Sequence, residues 1–220
     1  MINLTRMLEL TIAGKEDNTK LSQLEEMLKQ YITEETVKSK GGNKALQRLT
    51  AGRKYLKESE KINVGRPAFM GTWMENGKQY MTNGHSGIEL VSVIEGPNQI
   101  PEDVPAPKLL NIIESADKNA NIKVEVPGIT ELKAQLKTAV AVAKGKRLKL
   151  TGVKASLLKV EKCIINLKLF LDTILMFPEG ELEYYVSDNR MSLVIIKDEM
   201  GNRAIVSPLN LTEEDYENAA

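Results

Sequence analysis

Residues 66–94 set the tightest constraint on the fold. Strand-forming runs "RPAFMGTWM", "KQYMT" and "GIELVSVI" are separated there by Asn76-Gly77 and Asn83-Gly84. Asn-Gly pairs favour the left-handed backbone that a two-residue hairpin turn demands, so the segment is expected to form a β-meander. The pattern returns near the carboxy end, where "ELEYYVSD", "MSLVIIKD" and "NRAIVSPLNL" read as three more strands joined by "NR" and "EMGN".

A helical pattern precedes each meander. Residues 21–38 place Leu21, Leu24, Leu28 and Ile32 at helical spacing, with Ser22 and Glu25 as a capping box. "KGGN" at 40–43 breaks this helix. Residues 44–60 then put Leu46, Leu49 and Leu56 on one stripe and Lys44, Arg48, Lys54 and Lys57 mostly elsewhere, which predicts a second amphipathic helix with a basic side. Before the later meander, "CIINLKLFLDTILMF" reads as a strand entering a helix, with Asn166 as N-cap, Leu167, Leu171, Ile174 and Leu175 as core stripe, and Pro178 and Gly180 as terminators.

Between these units, "EGPNQIPEDVPAP" carries four prolines and reads as a loop. "KLLNIIESA" reads as a short helix with Leu109, Leu110 and Ile113 inward, and "NIKVEV" as a strand. After Pro127-Gly128, "ITELKAQLKTAVAVAK" reads as a helix with Lys133, Lys137 and Lys144 on one polar face, followed by strands in "RLKLTG" and "ASLLKV". Helices joined to mostly antiparallel strands, without regular βαβ alternation, predict an α+β fold of repeated helix-plus-meander half-domains. The expected division is a helical extension over 1–40, domains over 41–126 and 127–211, and an acidic tail over 212–220.

Catalytic chemistry finds little support. The chain has one histidine, His85, and one cysteine, Cys163, 78 residues apart, which cannot make a typical structural zinc centre. No G-x-S-x-G elbow and no phosphate-binding G-x-x-x-x-G-K-[ST] loop occurs. A non-enzymatic protein without metal or cofactor is expected, with Cys163 a small buried hydrophobe. No apolar run approaches the roughly 18 residues of a membrane span, and the amino terminus lacks a signal-peptide pattern, so the chain reads as cytoplasmic. Formal net charge is zero, but residues 131–162 are locally basic, which suits either a solvated face or sequence-independent phosphate contact. His85, between glycines, admits two readings: a turn histidine whose ring bonds backbone carbonyls, or one on the rim of a binding groove.

The stretch "RPAFMGTWMENGKQYMTNGHSGIELV" resembles a segment of the bacterial DNA sliding clamp, the β subunit of the replicative DNA polymerase, in which two strands lead into an "ATDGHRL"-like motif. Thr82, Gly84 and His85 match it, while Asn83 replaces Asp. "ALQRLTAGRKYLKES" resembles the helix opening the clamp's middle domain, and "VPAPKLLNIIESA" its "VPRK...L" helix. Residues 163–211 follow the last half-domain element for element, ending in "VSPLNL" where the family has a "V-M-P-M-R-L"-like segment. The resemblance covers roughly residues 44–116 and 163–211. It implies a DNA-clamp-like fold and an oligomeric ring that encircles duplex DNA without sequence specificity. The helices carrying Lys44, Arg48, Lys54, Lys57, Lys133, Lys137 and Lys144 would line the hole. A short apolar peptide of a polymerase or another replication protein would dock at Thr82, Gly84, His85, Ile205, Val206, Ser207 and Pro208.

The sequence departs from the family in having room for about two domains rather than three, in its first 40 residues, and at Ser207 and Asn210. Two-domain clamps of phages and eukaryotes close as trimers, which suits an abbreviated clamp encoded by a phage or mobile element. Two other readings stay open: a clamp-fold module that binds peptides or a replisome partner without encircling DNA, and an unrelated α+β regulator whose helices at 21–59 dimerise or touch DNA.

Overall fold

The structure is a computed structural model and describes residues 18–91, 93–94, 98–145 and 156–214. The strand expected over 147–152 lies outside these residues, as do 1–17 of the expected extension and 215–220 of the acidic tail. The fold is α+β. Its elements are α1 (Asn18–Ile62), β1 (Thr72–Glu75), β2 (Lys78–Thr82), β3 (Ser86–Leu90), α2 (Leu109–Asn119), β4 (Ile122–Val124), α3 (Ile129–Gly145), β5 (Leu157–Val160), β6 (Cys163–Asn166), α4 (Leu167–Ile174), β7 (Leu182–Val186), β8 (Val194–Asp198) and β9 (Arg203–Val206).

The break expected at "KGGN" is a fold-back inside α1. Gly42 has φ 68° and ψ −161°, a conformation closed to residues with a side chain. The two halves of α1 therefore run antiparallel as a helical hairpin, clasped by an Arg53–Glu34 ion pair at 2.8 Å. At the first expected hairpin, Asn76 and Gly77 have φ 51° and 76°, the paired positive values of a two-residue turn between Glu75 and Lys78. "RPAFMGTWM" forms a 3₁₀ turn at Pro67–Phe69 and becomes a strand only from Thr72. Asn166 caps α4 as expected, its Oδ1 accepting from the Leu169 N–H at 3.1 Å.

Seven strands form one antiparallel sheet in the order β1-β2-β3-β9-β8-β7-β4. The two meanders thus meet at β3 and β9, with Ser86 opposite Val206 and Glu89 opposite Arg203. Sheet and core continue across the boundary expected at 127: β4 pairs with β7, and one cluster joins Leu49, Leu56, Ile88, Leu132, Phe170 and Val194. Among the described residues the sheet is thus continuous across residue 127, with one apolar cluster on each of its faces.

Both sheet faces are covered, and side-chain alternation assigns each residue. Val194, Ile196, Ala204 and Val206 face α1, α3 and α4, while Ile195 and Ile205 face α2. α2 approaches β3 so closely that a Cβ on Gly87 would lie 2.3 Å from Leu109 Cδ1. β5 and β6 form a separate two-stranded ribbon, where Cys163 is buried as expected. Burial pushes its thiol pKa up, which keeps it protonated and unreactive.

Glu89 on β3 has no solvent exposure. Arg203 grips it bidentately at 2.8 Å to each oxygen, and Lys78 and Tyr80 donate at 2.8 and 2.9 Å. Arg203 and Lys197 also pair with Asp117, fastening α2 to the sheet. Burial raises the Glu89 pKa, but the hydrogen bonds from Arg203, Lys78 and Tyr80 more than offset it and hold the carboxyl below its ordinary 4.5. Its contribution to stability is therefore complete above that pH and is lost as pH falls through the lowered folded-state value. Arg203→Met should cost about 3 kcal/mol in urea denaturation, because it leaves a buried carboxylate under-paired. Glu89→Gln should flatten the acid limb of the stability–pH profile measured the same way.

Candidate functional site

The turn between β2 and β3 is built almost wholly from its own polar side chains. Asn83 Oδ1 accepts from the N–H groups of His85 and Ser86 at 2.9 and 2.7 Å, an Asx turn. The Thr82 hydroxyl donates to the Ser86 carbonyl at 2.7 Å and accepts from the Gly84 N–H at 3.1 Å. Gly84 sits at φ 83°, where a side chain would strain the backbone. From α1, the Tyr55 hydroxyl donates to the Ser86 carbonyl at 2.9 Å, and Asn63 Nδ2 donates to the Asn83 carbonyl at 3.0 Å. Burial pushes the Tyr55 phenol pKa far up, so it remains a proton donor at any ordinary pH.

This scaffold leaves the His85 ring exposed and without a hydrogen-bond partner among the described residues. Only its main chain is tied down. The His85 carbonyl accepts from the Ser207 N–H at 2.8 Å, Leu209 N–H reaches the Ile164 carbonyl at 2.8 Å, and Pro208 lies opposite Ile165. The segment after β9 thus runs from the His85 turn across to β6.

Sequence-expected docking residues divide in two. Gly84 and His85 are exposed, with the half-buried Ser207 next to them and Pro208 following. Thr82, Ile205 and Val206 are buried: Thr82 holds the turn, Ile205 packs under α2, and Val206 joins the opposite core. Strand alternation sends Ile205 and Val206 to opposite faces, so these two cannot line one groove.

On the helical side, Lys44, Lys57, Lys133 and Lys137 are exposed and make no ion pair with any described residue. Lys54 is half-neutralised by Asp172 at 2.7 Å, and Asp172 also binds Lys168 of α4 at 2.8 Å. Arg48 leaves the expected basic face altogether. It is buried, donates from Nε to the Met176 carbonyl at 3.1 Å, and approaches Glu179 at 3.5 Å. Its place beside Leu49 on the core-facing arc explains this, since one helical step separates the apolar stripe from its flank. The side chain of Lys144 lies outside the described residues.

Among the described residues no group of three or more His, Cys, Asp or Glu is arranged to hold a metal ion, and no helix is long and apolar enough to cross a membrane. No protein-family model, no curated protein and no solved structure matches the chain.

Asn83→Ala should cost about 1–3 kcal/mol in thermal or urea unfolding, because it orphans the donors that Asn83 satisfies. His85→Ala should stay within about 0.5 kcal/mol of wild type in the same assay, since its ring supports nothing.

Proposed function

We propose that the protein is a DNA sliding-clamp-like processivity factor that encircles duplex DNA as an oligomeric ring. The observation carrying this reading is the pairing of two helix-plus-meander units through β3 and β9, with the helices that precede both meanders on one sheet face. That arrangement agrees with the half-domain plan implied by the resemblance of "TNGH" and "IVSPLNL" to clamp segments. The exposed lysines at 44, 57, 133 and 137 support it further: they can meet phosphates without first breaking an ion pair. No covalent chemistry is needed, because encircled DNA cannot leave sideways while long-range charge attraction permits sliding. Clients would dock where Gly84, His85, Ser207 and Pro208 come together.

One observation favours a second reading, a clamp-fold module that binds peptides or a replisome partner without closing a ring. A ring closed by pairing sheet edges would need both edges open, yet the β1 edge is engaged at Thr72, whose N–H donates to the Asn98 carbonyl at 2.9 Å and whose carbonyl accepts from the Ile100 N–H at 3.0 Å. The opposite edge, β4, is only three residues long.

Light scattering across a concentration series, paired with retention on nicked circular and linearised plasmid, separates the readings. A closed oligomer held on circles but lost from linear DNA is expected. A monomer that leaves both DNAs equally fast sinks the ring. In that case, client-peptide binding abolished by Pro208→Asp would support the module.

A further inference from the structure

A cavity of about 790 Å³ opens on the helical side, between the second half of α1, the start of α3 and the α4–β7 connection. Its lining is largely apolar, with Leu46, Ile129, Leu175 and Leu182 partly or fully exposed there, while Thr50, Lys54 and Lys133 stand among its polar lining. No carboxylate lines it among the described residues. Among the described residues Lys133 has no ion-pair partner, and Lys54 has only Asp172, which lies outside the lining. The volume falls in the range of pockets that enclose a ligand or a few side chains.

We infer that this cavity is a docking groove for a partner peptide carrying one or two bulky apolar side chains flanked by carboxylates. The apolar floor calls for side chains that are removed from water on binding. Lys133, which pairs with no described residue, calls for an anion beside it, since a carboxylate placed there displaces no existing partner, and Lys54 adds charge that Asp172 only partly answers. A DNA duplex would answer the lysines but has no side chain to fill the floor, so nucleic acid is the rival occupant that the lining disfavours. The groove follows from its own lining and stands whether or not the protein encircles DNA. If it does, peptide and duplex share Lys54 and Lys133 and exclude one another.

The probe is a fluorescein-labelled synthetic hexapeptide with a Leu-Phe core flanked on each side by two glutamates, read by anisotropy against the full-length protein. Its control carries lysines in place of the glutamates, and an unlabelled duplex of about 20 base pairs serves as competitor. The glutamate peptide should bind at least about tenfold tighter than its lysine counterpart. Thr50→Trp, which fills the groove from an exposed position, and Lys133→Glu should each weaken it about tenfold, with melting temperatures unchanged. Should Thr50→Trp unfold the chain, Lys133→Glu alone decides, because that side chain is exposed and unpaired. Equal binding of the two peptides, or wild-type affinity in a folded variant, overturns the groove. So does binding of the duplex with no binding of the glutamate peptide, which would hand the lysines to nucleic acid.

Discussion

The tie between Glu89 and Arg203 across β3 and β9 governs the rest of the structure. Every residue of β3 is buried, because the strand lies at the middle of a sheet covered on both faces. A carboxylate there is tolerable only with its charge answered in place, and of its two cations Lys78 comes from the neighbouring β2 while Arg203, which binds both oxygens, comes from the other meander. The same arginine reaches Asp117, so joining the meanders and seating α2 are parts of one network. Register follows too: a slip of one residue would move Glu89 into the apolar layer beneath α1 and α4.

The His85 turn is arranged in the opposite sense. Its rigidity comes from Asn83, Thr82 and Tyr55, none of which depends on the imidazole. A rigid loop that presents a side chain with no structural duty is well suited to recognition, because little ordering entropy remains to be lost on binding. The terminal segment adds a second fixed wall through Ser207. On the helical side, α4 brings Lys168 and Asp172 against Lys54 of α1 in a mutually satisfied set.

Much of the local structure was legible in the sequence because it rests on short-range chemistry. Asn76-Gly77 specifies its hairpin through backbone conformation alone, Asn166 caps α4 with its own side chain, and Gly42 turns α1 back on itself. The merger of both halves into one sheet was not legible, since pairing of β3 with β9 is a contact between distant segments that no local pattern encodes. Nor was the burial of Arg48, whose sequence neighbours match those of an exposed helical arginine while its partners, Met176 and Glu179, lie far along the chain. Glu89 did carry a faint signal, a lone acid between Ile88 and Leu90 in an otherwise uncharged strand. Of the residues expected at the docking site, adjacency of the His85 turn to Ser207 is present, but the strand pleat turns Ile205 and Val206 away from each other.

The central pairing also bears on how the chain reaches this structure. Glu89 and Arg203 are 114 residues apart, whereas β1, β2 and β3 pair through tight local turns. During synthesis at about 5–20 residues per second, β3 therefore waits roughly 6–23 s for its partner to emerge. An unpaired central strand is a template for foreign strands throughout that interval. Glu89 then has Lys78 of β2 beside it but not the bidentate Arg203, and this incompletely satisfied carboxylate opposes burial of β3 against anything else. The carboxylate that locks the finished sheet guards the unfinished one.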